Sequence, residues 1–366
     1  MKRLRVLHVL GEIKPSGAEV MLLAALPGFR AAGVEPALLA TGAAKGDFAA
    51  RFEAAGCEVL HLPLRRAPAF FWQVYRLLRD PRWDVIHLHT ERANFYFGVV
   101  ALATGKTVIR TVHNVFSFEG ALRRRRGLQR RTLERFGLRH VAIGQSVLAN
   151  EVGRFGIRPA LVDNWFDDAS FAPATPDERS EARSGLGVEP GRFVIASVGN
   201  CSDVKNHKSL LHALAELPPE LRPMYLHAGI EEPGAPEREL AAELGLHGDV
   251  RFLGAVRDVP GLLHAADAFV MPSLYEGFGV AAVEALGSGL SAIFADVPGL
   301  CDFKARFHDI VYCEPKAASI ATALQRLLRL PAAERARIAS TQAECARRHY
   351  GTERGVQQYV KLYRKS

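Results

Sequence analysis

A series of short apolar runs separated by helix-like segments constrains the fold most, and it occurs twice along the chain. The first set is LRVLHVL (residues 4–10), EPALLAT (35–41), CEVLHLPL (57–64), DVIHLHT (84–90) and TVIRTVH (107–113). Short β-rich runs that are apolar on both faces are the pattern of strands buried in a parallel sheet. Helix-like segments lie between them, among them AEVMLLAALPGFRAAG and PAFFWQVYRLLRD, where Phe71, Val74, Tyr75 and Leu78 have core-helix spacing. After the polar, proline-bearing stretch FDDASFAPATPDERSEARSGLGVEPG the series restarts with RFVIASVGN (192–200), PMYLHAG (223–229), VRFLGAV (250–256), AFVMPS (268–273) and SAIFAD (291–296). Alternation of this kind predicts an α/β protein of two Rossmann-like domains. The expected division is residues 1–168 and 169–346, with a linker near 165–190. A last helical segment, roughly 333–364, is expected to bring its tail, from about residue 347, back onto the first domain through the tyrosines of YVKLYRKS.

Composition agrees with two cores. The chain has 366 residues, of which 48% are hydrophobic, which is long for one core and right for two. Its net charge of +8 favours anionic partners without choosing among them. The five cysteines (Cys57, Cys201, Cys301, Cys313, Cys345) show no CxxC and no short Cys/His spacing, so neither a disulfide framework nor a structural zinc site is indicated. The basic, apolar N-terminus breaks at Gly11, with Lys14 and Pro15 following, and fits a buried strand better than a leader. No apolar stretch reaches the roughly 18 residues of a membrane-spanning helix.

In open parallel sheets, ligands bind beyond the carboxyl ends of the strands. There the chain places SLYEGFGVAAVEALGSG (273–289), with Glu276 and Glu284 in an otherwise small and apolar run. Gly277 and Gly279 allow close backbone approach, and the amides of residues 279–282 at a helix start favour a phosphate. Two carboxylates beside an anion are suited to accept hydrogen bonds from hydroxyl groups. A phosphate flanked by hydroxyl-rich groups describes a nucleotide sugar. Taken singly, each group has a plainer explanation. A glutamate near a helix start is commonly a cap, Lys205 could be a surface charge, and His113 has the same strand-end setting as His8, His61, His87 and His89.

The spacing Glu276-x7-Glu284 within PSLYEGFGVAAVEALGSGLSAIFAD resembles the signature of glycosyltransferase family 4, a branch of the GT-B-fold enzymes. The resemblance extends through GEIKPSGAEVMLL, DVIHLHTERANFYFG, VIRTVHN, VAIGQSV, VDNWFDDASFAP, VGNCSDVKNHKSLLHAL, VRFLGAVRDVPGLLHAADAFVMPS and the closing tyrosine-bearing helix. It implies a GT-B fold, with an acceptor-side domain and a donor domain facing across a cleft. It also implies a retaining, metal-independent transfer of a sugar from a nucleoside diphosphate to a hydroxyl group, with no cofactor.

On the same resemblance Glu284 holds the ribose hydroxyls and Glu276 lies beside the transferred sugar. The amides of Gly277, Phe278, Gly279 and Val280 face sugar and phosphate. Lys205 clamps the diphosphate, His113 approaches the reacting sugar, and Gly17 belongs to the glycine turn after the first strand, with Ser16 in place of the usual first glycine. Asn200 departs from the pattern, because the family usually has an arginine at or near that position. Arg257 or Arg92 is a candidate to supply the second cation, and a catalytically silent nucleotide-sugar-binding scaffold is the alternative.

The run ALRRRRGLQRRTLERFGLRH (121–140) has one acid, Glu134, among its arginines, and Leu122, Leu133 and Phe136 form a partial apolar stripe. It is either a solvated helix with one face on the core or a docking face for an anionic membrane. In the resembling family this region serves acceptor delivery, which implies a glycan or lipid-linked acceptor, a peripheral cytoplasmic location at the inner membrane face, and surface polysaccharide, capsule or lipopolysaccharide assembly. The expected donor is UDP- or GDP-linked. No nucleic-acid motif accompanies the basic charge, so no nucleic-acid partner is expected. GEIKPSG lacks the GxGxxG spacing of a nicotinamide dehydrogenase.

Overall fold

The computed structural model describes residues 3–65, 67–91 and 93–364. The chain forms two compact units, one running through Trp165 and resuming at Thr352, the other spanning Phe166–Gly351. Among the described residues, the first unit contains strands β1 (Leu4–Leu10), β2 (Val34–Ala40), β3 (Glu58–His61), β4 (Val85–Leu88), β5 (Thr107–Val112), β6 (Arg139–Ala142) and β7 (Ala160–Leu161). They form one sheet in the order β3-β2-β1-β4-β5-β6-β7, parallel throughout. The second unit contains β8 (Val194–Val198), β9 (Met224–Ala228), β10 (Val250–Phe252), β11 (Ala268–Met271), β12 (Ser291–Ala295) and β13 (Val311–Cys313), in the order β10-β9-β8-β11-β12-β13, again all parallel. The expected α/β architecture of two Rossmann-like units is present.

Strand order decides where each unit can bind. From β8 the chain first winds toward β10, then returns to lay β11 on the other side of β8. The loops leaving β8 and β11 therefore diverge to opposite faces and leave a crevice at their carboxyl ends. The same reversal occurs between β1 and β4 in the first unit.

The C-terminal segment differs in detail from expectation. Instead of one helix there are two, Ala332–Tyr350 and Thr352–Arg364. Gly351 leaves the helical region with ψ 155° and forms a parallel bridge with Phe166, so the first helix ends there. The return to the first unit comes at Thr352 rather than near 347, because Tyr350 is buried among Phe278, Phe303 and Phe307 of the second unit. The final helix then buries Val356, Tyr359 and Tyr363 in the first unit. Tyr363 Oη and His87 Nδ1 are 2.8 Å apart, and Tyr359 Oη and Thr111 Oγ1 are 2.7 Å apart. A side chain at Gly355 would collide with the Trp165 ring, at 2.1 Å.

Two amphipathic faces also differ. The helix Pro68–Arg79 buries Phe70, Val74 and Leu78, a strict four-residue spacing that starts one residue before the expected Phe71 and leaves Tyr75 half-buried. In the helix Gly120–Arg135, Leu133 is buried, but Leu122 is exposed and Phe136, just beyond the helix end, is 71% exposed. The inward face is Gly127, Arg130 and Leu133. Arg130 is buried because its Nε donates to Glu151 Oε2 at 2.8 Å and its Nη2 lies 3.3 Å from Glu91 Oε1, with the guanidinium 4.1 Å from the centre of the Phe155 ring. Glu91 also pairs with the buried Arg110. Removing one partner of a buried ion pair strands the other, at a cost of about 3–5 kcal/mol. Arg130→Ala is thus expected to lower the denaturant midpoint of the first unit, whereas Arg124→Ala on the exposed face leaves it unchanged. Equal midpoints would refute the structural role of Arg130.

Candidate active site

The crevice at the β8/β11 reversal brings Lys205 and Glu276 together as an ion pair. Lys205, in the turn after β8, donates from Nζ to Glu276 Oε1 at 2.7 Å, and Ser273 Oγ donates to the same oxygen at 2.7 Å. Among the described residues Glu276 Oε2 accepts no hydrogen bond, which leaves this carboxylate atom for a ligand. Both loops are fastened at their backbones: Leu274 N donates to Val204 O at 2.8 Å, and Glu276 N donates to Pro298 O at 3.0 Å.

Three residues that sequence reasoning did not single out hold this arrangement. Asn206 adopts φ 57° and donates from Nδ2 to Pro272 O (2.9 Å) and Pro315 O (3.1 Å), tying the β8 loop to the segments after β11 and β13. Asparagine is among the few residues that tolerate this conformation, which was the one available signal. Gly199 makes room for the lysine, since a Cβ there would come within 3.2 Å of Lys205 Cε. Gly299 has φ 87°, and a Cβ there would collide with Glu276 O at 2.4 Å.

Gly279, with φ 85°, turns the chain into the helix Val280–Gly287. A Cβ at Gly279 would lie 2.8 Å from Leu300 Cδ2, so the position requires glycine for shape and conformation together. Val280 and Ala281 head the helix. The expected set of unpaired amides is shortened by one, because Ala282 N already donates to Gly279 O at 3.0 Å. The Phe278 side chain is buried against Phe303 and Tyr350, so only its backbone is available to a ligand.

Glu284 lies on the second turn and is 7% exposed. No side-chain hydrogen bond to it forms among the described residues. Burial, reinforced by the negative charge of Asp167, pushes its carboxyl from 4.5 up to about 7. A buried carboxyl without a donor is an unfilled hydrogen-bonding site.

Asn200 and Arg257 do not join this group. Asn200 Oδ1 accepts from Ile230 N at 2.9 Å, which ties the β8 loop to the β9 loop and accounts for an amide where a cation was expected. Arg257 is exposed in the loop after the edge strand β10, two strands from β8, with no hydrogen bond to Lys205 or Glu276. Arg92 lies outside the described residues.

In the first unit, Gly17 opens the helix Gly17–Ala31 after β1, where Ser16 Oγ bonds the Glu19 carboxylate. His113 follows β5 and ends a chain of imidazoles: His113 Nε2 to His89 Nδ1, 2.9 Å, and His89 Nε2 to His8 Nδ1, 2.9 Å. Burial holds all three well below the usual histidine range, His113 at about 4 with a further push from Arg110, and His8 at about 3. Neutral imidazoles carry one proton each, so the chain has two proton arrangements. In one, His113 donates inward and presents a bare Nδ1. In the other, it accepts inward and presents Nδ1–H. His113 can thus offer either an acceptor or a donor without taking on charge.

His8, His87 and His89 are the one group of three potential metal ligands found among the described residues, with ligand atoms within 4.8 Å of one another. Both nitrogens of His87 are already engaged, by Tyr363 and Thr111, and His8 and His89 bond each other. The cluster is accounted for as a hydrogen-bonded network.

Two family models match the chain, Glycosyltransferase Family 4 over residues 15–169 and Glycosyl transferases group 1 over residues 178–344. The chain belongs to glycosyltransferase family 4. Among relatives of this family 4 enzyme, EpsF of Bacillus subtilis, named as a glycosyltransferase, is 29% identical over 308 residues, covering 80% of this chain and 79% of that protein. The Escherichia coli UDP-Gal:alpha-D-GlcNAc-diphosphoundecaprenol alpha-1,3-galactosyltransferase is 28% identical over 240 residues, 62% of this chain and 61% of that enzyme, which is under two thirds of its length. The structure of Anabaena HepE in complex with UDP and glucose superposes with a TM-score of 0.85 at 21% identity, covering 98% of this chain and 99% of HepE. The fold of this family 4 glycosyltransferase is accordingly GT-B.

The buried Glu284 gives a signed prediction. A carboxyl raised from 4.5 to about 7 in the folded state stabilises the fold fully below 4.5 and loses that contribution as pH rises to about 7. Glu284→Gln, neutral throughout, is expected to match the parent near pH 4 and exceed its unfolding free energy near pH 8 by up to about 3 kcal/mol. Denaturant melts at the two pH values measure this, and an equal effect at both would contradict it.

Proposed function

We propose that this glycosyltransferase is a retaining, metal-independent enzyme that moves a hexose from a UDP- or GDP-linked donor to a hydroxyl of a lipid-linked glycan at the inner membrane face, in assembly of a surface polysaccharide, capsule or lipopolysaccharide. The observation that carries the donor side is the Lys205–Glu276 pair at the strand reversal, with Glu276 Oε2 left open. Breaking the sugar–phosphate bond builds negative charge on the departing diphosphate. Lys205 and the amides of Val280 and Ala281 are preorganised to stabilise it. Glu284 accepts the ribose hydroxyls, Glu276 Oε2 accepts from the sugar, and neutral His113 bonds a sugar hydroxyl. With Asn200 engaged by Ile230, the clamp relies on Lys205 for its cation. The retained anomeric configuration is the outcome that the family resemblance implies.

On the acceptor side, the helix Gly120–Arg135 exposes Arg123, Arg124, Arg125, Arg131 and Arg135 together with Leu122 and Leu128, 61% exposed, and Phe136 lies next to it. Basic residues close to an anionic bilayer add about 1 kcal/mol each, and the apolar groups can enter the headgroup layer. No helix among the described residues is long and apolar enough to cross a membrane. A diphosphate-linked lipid acceptor is supported by the Escherichia coli relative, whose name gives GlcNAc-diphosphoundecaprenol as its acceptor.

Incubation with a panel of UDP- and GDP-hexoses and a polyprenyl-diphosphate-linked sugar, followed by NMR of the product, tests these assignments. The expected result is transfer with the donor's anomeric configuration, unaffected by EDTA, with kcat reduced on the order of 10²-fold or more in Lys205→Ala. Inversion, or loss of activity in EDTA, would contradict the proposal.

A further inference from the structure

A pocket of about 380 Å³ opens beside the N-terminal half of the helix Gly120–Arg135, lined by Gly120, Arg123, Arg124, Gly127, Arg131 and Arg154. Its volume lies in the small-ligand range of about 300–1,000 Å³. Three of the four guanidinium groups are held by backbone carbonyls: Arg154 Nη2 donates to Phe118 O at 2.6 Å, Arg131 Nη1 to Phe155 O at 3.0 Å, and Arg123 Nε to Arg154 O at 3.4 Å. Arg154 Nε is buried with no hydrogen-bond partner among the described residues. None of the four forms an ion pair with a carboxylate among the described residues. Gly127 keeps the space open, since a Cβ there would lie 3.3 Å from Arg131 Nη1. The neighbouring Arg126 and Arg130 are turned onto the Phe118 and Phe155 rings and do not share this pocket.

We propose that this pocket is the subsite for the diphosphate group of the acceptor. Four cations converging without an acid repel one another, and an anion removes that repulsion. Guanidinium forks match phosphate oxygens in pairs, and four forks match two linked phosphates better than the single phosphate of a bilayer headgroup. Leu128, four residues on from the pocket-lining Arg124 in the same helix, is exposed and offers an apolar group to an adjoining lipid. The identity of the ligand rests on the lipid-linked acceptor proposed above, whereas the anion site rests on the pocket itself.

Calorimetric titration of the full chain with inorganic pyrophosphate tests the site, using Lys205→Ala as the parent so that the donor clamp does not contribute. The expected result is submillimolar binding to that parent, weakened about tenfold or more by adding Arg123→Ala and Arg124→Ala. Arg123→Lys with Arg124→Lys, which keeps the charge and loses the forks, is expected to lose part of the affinity. Both positions are exposed, and an unchanged unfolding midpoint verifies that the variants are folded. Pyrophosphate binding that ignores the double substitution, or is absent from the parent, overturns the subsite. Sedimentation with phosphatidylcholine vesicles with and without phosphatidylglycerol separates the sources. If the arginine pair governs anionic-vesicle binding and not pyrophosphate binding, the pocket takes headgroups and the diphosphate proposal fails. UDP binding to the protein with Lys205 intact is measured in parallel, since its absence would contradict the donor site without bearing on the pocket.

Discussion

The hydrogen-bonded pair of Lys205 and Glu276 is the contact on which the proposed donor site depends, and it exists because the strand order reverses at β8 and β11. Residues 71 positions apart meet there at 2.7 Å because both follow neighbouring parallel strands. Around the pair, each loop is fixed by main-chain bonds and by glycines that larger residues could not replace. The side chains are thereby preorganised before a donor arrives, so little ordering remains to be done on binding.

Charge is distributed differently in the two units. In the second, a cation and two carboxylates lie near one helix start, and burial raises the Glu284 carboxyl to about 7. In the first, burial keeps the imidazole chain behind His113 neutral, and the helix Gly120–Arg135 carries both the buried, ion-paired Arg130 and pocket-lining arginines with no carboxylate partner among the described residues. Arg130 and Arg124 are six residues apart in one helix, yet one stabilises the fold and the other faces solvent.

Much of the architecture was legible because strands buried on both faces leave continuous apolar runs. All ten expected runs contain strands, while the short edge strands β7 and β13 and the four-residue β6 lacked such a signal. Glu276, Glu284 and Lys205 could be read from motif spacing. The roles of Asn206 and Gly299 could not, because their partners are remote in sequence, and that of Gly199 depends on how Lys205 folds back over the turn. The same limit hid Arg130, whose charge suggested solvent until Glu151 and Glu91 supplied its counter-charges. Gly351 was readable as a glycine but not as a helix break, since its bridge to Phe166 spans most of the second unit.

The most direct test of the donor site is a calorimetric titration of UDP and GDP into the metal-free protein and Glu284→Ala. The account predicts that one nucleotide binds selectively and that the substitution weakens it. It also predicts that affinity in the unsubstituted protein rises with pH up to about 7, because hydroxyl donors favour the ionised carboxyl. Binding that is absent for both nucleotides, or indifferent to Glu284, would contradict it.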